Sequence, residues 1–203
     1  MHFEPQTNYQ LAFEQGLDQV RRQESATLDM LGAKPVAAAR YDLAVLETGL
    51  SIDLDQGSVR LRGGGEVRIA WQILALHYLG ASPPWPEATR WFSFADFAEA
   101  RGYNAVHRGR VLERLCATVG RDRETFCDAA QRLGAERVGW GDAGFRFQVF
   151  PRLAVAIAWY CGDGELPPSA SFLYPDNVLS FFPVEDMVVL SERVIGRLQG
   201  KGW

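Results

Sequence analysis

Apolar residues recur at helical spacing at Phe13, Leu17, Val20, Leu28 and Leu31. They follow Thr7-Asn8-Tyr9-Gln10, which has the form of a capping box, and precede Gly32. The pattern predicts one amphipathic helix from Thr7 to Leu31, with Arg21, Arg22 and Glu24 on its wet face. From Tyr41 the period falls to two: Leu43 and Val45, then Ile52 and Leu54, then Val59 and Leu61, separated by Thr48-Gly49 and Gln56-Gly57. Three short antiparallel strands fit that alternation. Gly63-Gly64-Gly65 breaks the sheet, and Val67 to Leu79 is then apolar at nearly every position, including Ile69, Trp71, Ile73, Leu74 and Leu76. A helix with no polar face belongs at the centre of a fold.

Pro83-Pro84-Trp85-Pro86 reads as a rigid connection, and in the run Trp91 to Phe97 Ser93 is placed to cap a short helix. Val106 to Val119 and Asp122 to Leu133 read as two helices joined at Gly120, the second closed by Gly134. Alternation returns at Phe145, Phe147 and Val149, turns at Pro151, and runs through Leu153, Val155, Ile157 and Trp159. Ser169 to Tyr174 adds a strand, and Val184 to Leu198 a closing helix with Met187, Leu190, Val194 and Leu198 on one face. The expectation is a single α+β domain over residues 1–203, with antiparallel strand segments packed around the buried central helix and flanked by the others.

Composition adds constraints. With 203 residues, 47% of them hydrophobic, the chain can bury a core without disulfides or metals. The three cysteines, Cys116, Cys127 and Cys161, lack metal or cluster spacing and read as thiols of a reducing compartment. The first residues carry no basic and apolar leader, and no apolar run reaches the ~20 residues of a membrane span, so a cytoplasmic protein is expected. A net charge of -4 gives no global pull toward nucleic acid or an anionic membrane. Lys34 and Lys201 are the only lysines, so nearly every cation is an arginine. That skew suits an anion site, although codon bias in a GC-rich genome produces it too.

The run Ile73-Leu74-Ala75-Leu76-His77-Tyr78-Leu79, then Trp91-Phe92-Ser93-Phe94, Gly102-Tyr103, Phe150-Pro151 and Gly162-Asp163-Gly164-Glu165-Leu166-Pro167-Pro168 resembles the family of domain of unknown function 3786. The likeness spans about residues 40–195, preceded by the N-terminal helix. It implies an origin among anaerobic bacteria and archaea, and carries no activity to transfer. Some members of the family resemble fusions to cysteine-rich iron-sulfur segments, or accompany corrinoid chemistry. This chain has no cysteine cluster, so an iron-sulfur or corrinoid centre would belong to a partner protein. Where the family often has a second acidic residue between Asp163 and Glu165, this chain has Gly164, one possible ligand fewer.

Asp163 and Glu165 sit in a glycine loop just past an apolar strand, where binding groups often collect, and Asp176 in the next turn could join them. Carboxylates so placed suit a divalent cation or acid and base work, while a solvated acidic turn is the plainer alternative. His77, near the end of the buried helix, could line a polar pocket with Tyr103, His107 and Arg108, entered beside Trp91. A hydrogen-bonded core histidine is the plainer reading there. No Gly-x-Ser-x-Gly elbow is present, and no Lys-Ser or Lys-Thr follows the triple glycine. Residues 101–137 hold eight arginines against five acids on a helix-turn-helix-like pair, but Asp122, Glu124 and Asp128 would face the DNA. The order of expectation is therefore a small-molecule or metal-centre binding accessory protein of anaerobic metabolism, then a divalent-cation-dependent hydrolase or transferase, and last a DNA-binding protein.

Overall fold

The computed structural model describes residues 5–163 and 165–203. Gly164 and the side chain of Thr7, both used above, lie outside the described residues. Helix α1 (Pro5–Arg21) ends well short of Leu31, and a separate short helix α2 (Ser25–Met30) follows. The break over residues 22–24 corrects the single helix expected from the periodicity. Tertiary hydrogen bonds outweigh helix continuation there: the Arg21 guanidinium donates twice to Leu54 O (2.9 and 2.7 Å), and Gln23 Nε2 donates to Gly80 O (3.0 Å). The redirected chain then buries Leu28 and Leu31 fully.

Two antiparallel sheets follow. The first runs in chain order through β1 (Lys34–Ala37), β2 (Arg40–Val45), β3 (Thr48–Asp53) and β4 (Ser58–Leu61). β1 was not expected: all four of its residues are exposed, so no alternation marks it. Lys34, Pro35 and a shift in register make it a protected edge. After the buried helix α3 (Ile69–Gly80), the second sheet is assembled in the order β5 (Trp91–Ser93), β9 (Ser169–Pro175), β8 (Leu153–Tyr160), β7 (Ala143–Phe150), β6 (Glu136–Val138). Trp91 to Ser93 is a strand, and Ser93 caps, with Asp96, the 3-10 turn Phe94–Asp96 that follows, as expected of it.

The helix expected from Val106 to Val119 is a composite over residues 104–117. α4 (Asn104–His107) and α5 (Arg114–Ala117) are joined without a break by a wide π turn, Arg108–Glu113. α6 (Arg123–Arg132) starts on Asp122, whose carboxylate accepts from Thr125 N (2.8 Å), and α7 (Val184–Leu198) closes the chain as its stripe predicts. The segment 104–117 lies against β9, α6 against β7, and the sheets meet where Leu46 N donates to Val149 O (3.1 Å). Among the described residues no helix is long and apolar enough to cross a membrane.

α3 packs along α1 and against α7. At the crossing, a Cβ on Gly16 would come within 3.1 Å of Leu76 Cβ and 3.2 Å of the His77 ring, so glycine sets how closely α1 approaches. Fully buried Tyr78 uses its hydroxyl twice, donating to Leu31 O (2.8 Å) and accepting from Arg152 N (3.0 Å). One phenol thereby ties α2, α3 and the β7–β8 turn together, and its ring stacks on Phe150 at 4.6 Å. Burial pushes the phenol's pKa up, so it stays protonated. Replacing Tyr78 with Phe keeps the packing but strands a buried donor and a buried acceptor. A loss of about 1–3 kcal/mol is expected, seen as a lower denaturation midpoint at unchanged slope. An unchanged midpoint would contradict this bridging role.

Candidate functional site

The anticipated residues fall into four places. His77 and Tyr103 converge on the first turn of α7. His77 Nδ1 lies 2.6 Å from Asp186 Oδ2, and Tyr103 donates to Glu185 Oε1 at 2.5 Å. The carboxylate beside Tyr103 raises the phenol's pKa, and the phenol's hydrogen bond lowers that of Glu185. Both acids also gain from the helix N-terminus.

Asp163, in the loop before β9, and Asp176, just past its end, are set apart by the strand, itself about 20 Å long. Each is engaged locally. Asp163 Oδ1 accepts from Leu166 N (2.7 Å) and Glu165 N (2.9 Å), which lowers its pKa and builds the turn. A Cβ on Gly162 would stand 2.4 Å from Leu166 O, so the loop closes only on glycine. Asp176 accepts from Thr89 Oγ1 (2.8 Å) and Thr89 N (3.0 Å), bonds that hold its pKa down. Trp91 packs edge-on against Trp140, 5.4 Å between ring centres. The acidic loop and the histidines therefore do not form one compact cluster. Among the described residues no three His, Cys, Asp or Glu side chains gather as a metal site would require.

His107 and Arg108 occupy the fourth place, at the entrance to the π turn. His107 is buried, its ring lying flat on Phe94 (4.2 Å between centres, 2° between planes). Its Nε2 is 2.9 Å from Tyr174 Oη; Tyr174 in turn meets Ser191 Oγ, and Ser191 donates to Met187 O (2.7 Å). Each contact receives one proton if Nε2–H donates to Tyr174, Tyr174 donates to Ser191, and Ser191 donates to the carbonyl. That assignment leaves His107 Nδ1 as an acceptor. Burial lowers the imidazole pKa to about 4, so the ring is neutral at physiological pH.

This histidine borders a cleft of about 460 Å³ between the end of β5, the segment 104–117 and β9. Phe94, Leu112 and Phe172 give it apolar walls; Ser93, Asn104, Arg108 and Ser171 add polar groups at its margin. Arg108 is exposed, its Nε 3.5 Å from Glu113 Oε1. Leu112 is shared with a neighbouring apolar hollow of about 540 Å³ walled by Cys116, Ala117, Pro168 and Ala170. That hollow shares Arg121, Pro167 and Pro168 with a third, of about 410 Å³, bordered by Asp163 and Glu165. One trough thus follows the composite helix from His107 to the acidic loop.

Sequence reasoning missed Phe94, Asn104, Ser171, Tyr174, Glu185, Asp186 and Ser191 as site residues. Only Ser191 left a clear trace. It occupies the buried stripe of Val184, Met187, Val188, Val194 and Ile195, where a hydroxyl must find a partner.

A buried histidine whose pKa is lowered makes stability depend on pH in a fixed direction. The unfolded chain takes up a proton near pH 6.5 and the folded chain does not, so stability is complete above that pH and falls as pH drops toward about 4. Between pH 6.5 and 5, above the range of the carboxylates, urea denaturation should register a loss on the order of 2 kcal/mol. His107→Phe should flatten that slope, and an equal slope in the variant would contradict the assignment.

Over residues 25–197 the chain matches the model of a family described as domain of unknown function (DUF3786). No curated protein and no solved structure matches it. The match takes in α2, both sheets, the composite helix and nearly all of α7, and with them every residue of the His107 cleft, so the chain belongs to the DUF3786 family.

Proposed function

We propose that this protein binds a small, largely apolar organic molecule in the His107 cleft, its body between Phe94, Leu112 and Phe172 and a donor group on His107 Nδ1. The observation that carries the reading is the run of hydrogen-bond contacts from His107 through Tyr174 and Ser191 to Met187 O. It holds the plane of the ring that borders the cleft, and with Nε2–H as the donor it leaves Nδ1 a preorganised acceptor, which lowers the cost of binding. A histidine with a pKa of about 4 is a weak base at neutral pH, far from the value that suits general acid–base work. That favours recognition over turnover. Arg108 at the margin suits a carboxylate or phosphate on the same ligand. An accessory role in anaerobic metabolism, suggested by the family resemblance, is part of this reading.

The continuation past Leu112 supports a ligand with a tail, since Cys116, Ala117, Pro168 and Ala170 give it apolar walls, with Glu113 and Arg121 as its charged groups. The test is a thermal-shift screen of small organic molecules, repeated on Ala105→Trp. Ala105 is exposed on the cleft rim, so the indole fills the cleft without removing a buried contact. A compound that stabilises the native protein should lose its effect at least tenfold in potency on the variant. An undiminished shift would place the ligand elsewhere.

A further inference from the structure

A second cavity, of about 140 Å³, lies between the start of α3, α5 and the end of α7, apart from the trough. Five cations border it: Arg68 ahead of α3, Arg114 in α5, Arg193 and Arg197 on α7, and Lys201 beyond it. Two carboxylates answer them. Glu47 Oε1 takes Arg197 Nη2 at 2.5 Å, and Glu192 stands 3.8 Å from Arg193 Nη2. Arg114 spends one bond on the neutral amide of Gln199 (2.7 Å), and Arg197 Nη1 spends one on Lys201 O. Among the described residues Arg68 and Lys201 have no ion-pair partner, and the buried Nε–H groups of Arg193 and Arg197 have no acceptor.

Like charges drawn together from three elements repel, and unpaired buried donors cost free energy. The helix dipole accounts for Arg197 and Lys201 at the end of α7, but not for Arg68 and Arg114, which arrive from elsewhere in the chain. An anion in the cavity answers the repulsion. We infer that this cavity binds a tetrahedral oxyanion of phosphate type, either free inorganic phosphate or the terminal phosphate of a small monoester. The space admits one such group. Guanidinium forks match the paired oxygens of phosphate. Gly196 keeps the wall open, because a Cβ there would point to Arg114 Nη2 and Lys201 Cδ, each 3.9 Å away.

The site carries its own reporter. Trp71 borders the cavity, and its ring centre lies 4.9 Å from that of Trp203, which also sits under the Arg197 guanidinium (4.6 Å). The inference stands whether or not the His107 cleft holds a ligand. The experiment titrates the whole protein with inorganic phosphate, with glycerol phosphate, and with chloride at matched ionic strength, following tryptophan fluorescence and calorimetric heat. Saturable binding of either phosphate, absent with chloride, is expected. Tighter binding of inorganic phosphate identifies the free ion as the source, and tighter binding of glycerol phosphate a monoester. The double variant Arg68→Gln, Lys201→Gln removes two exposed cations that make no ion pair and should weaken binding at least tenfold. A response matched by chloride, or an affinity unchanged in the double variant, overturns the inference.

Discussion

Helix α3 has almost no polar face, so it must be enclosed on every side, and the rest of the fold is arranged to do that. α1 crosses it at Gly16, α7 lies along another side, and the aromatic rings of Phe150 and Phe181 cover Tyr78. Enclosure leaves Tyr78 and His77 in need of partners. Tyr78 finds a carbonyl on α2 and an amide on the β7–β8 turn, and His77 finds Asp186 on α7. These bonds set where α2, the second sheet and α7 stand relative to the central helix. Burying the helix and positioning the neighbours are one physical event.

The position of α7 in turn governs the candidate site. Its first turn takes Tyr103 and His77 on successive acids, Glu185 and Asp186, and one turn later Ser191 meets Tyr174. Tyr174 orients His107, and His107 stands where the helix widens into the π turn. Such wide turns recur at functional sites because they re-aim side chains that a regular helix would bury. Here the turn separates the buried His107 from the exposed Arg108 at the cleft. At its far end the same segment delivers Arg114 to the cationic cavity. A single irregular helix between two hollows gives ligands in either place a common element to act on.

Much of this architecture was legible in the chain, for local reasons. Alternation exposed β2, β3, β7 and β8, because each has one or both faces against the core. Asp122 announced the start of α6, and the stripe from Val184 to Leu198 announced α7 with its bounds. What escaped was decided at long range. The break after Arg21 depends on Leu54 and Gly80, and β1 is wholly exposed, so neither leaves a periodic mark. Carboxylates and glycines coincide in the acidic loop, and there Asp163 Oδ1 accepts both hydrogen bonds of its own turn. His107 and Arg108 were singled out as polar residues near an aromatic stretch, but their setting required Tyr174 and Ser191, 67 and 84 positions further along.

The central claim is that His107 presents a neutral, oriented acceptor to a ligand in the cleft. Nitrogen NMR of the imidazoles tests it most directly, since the chain holds three histidines and His107 is readily assigned by substitution. At neutral pH the ring should show a protonated Nε2 and a bare Nδ1, and only the Nδ1 resonance should move toward the hydrogen-bonded range when a stabilising small molecule is added. A doubly protonated ring, or an Nδ1 signal indifferent to every such molecule, would contradict the account.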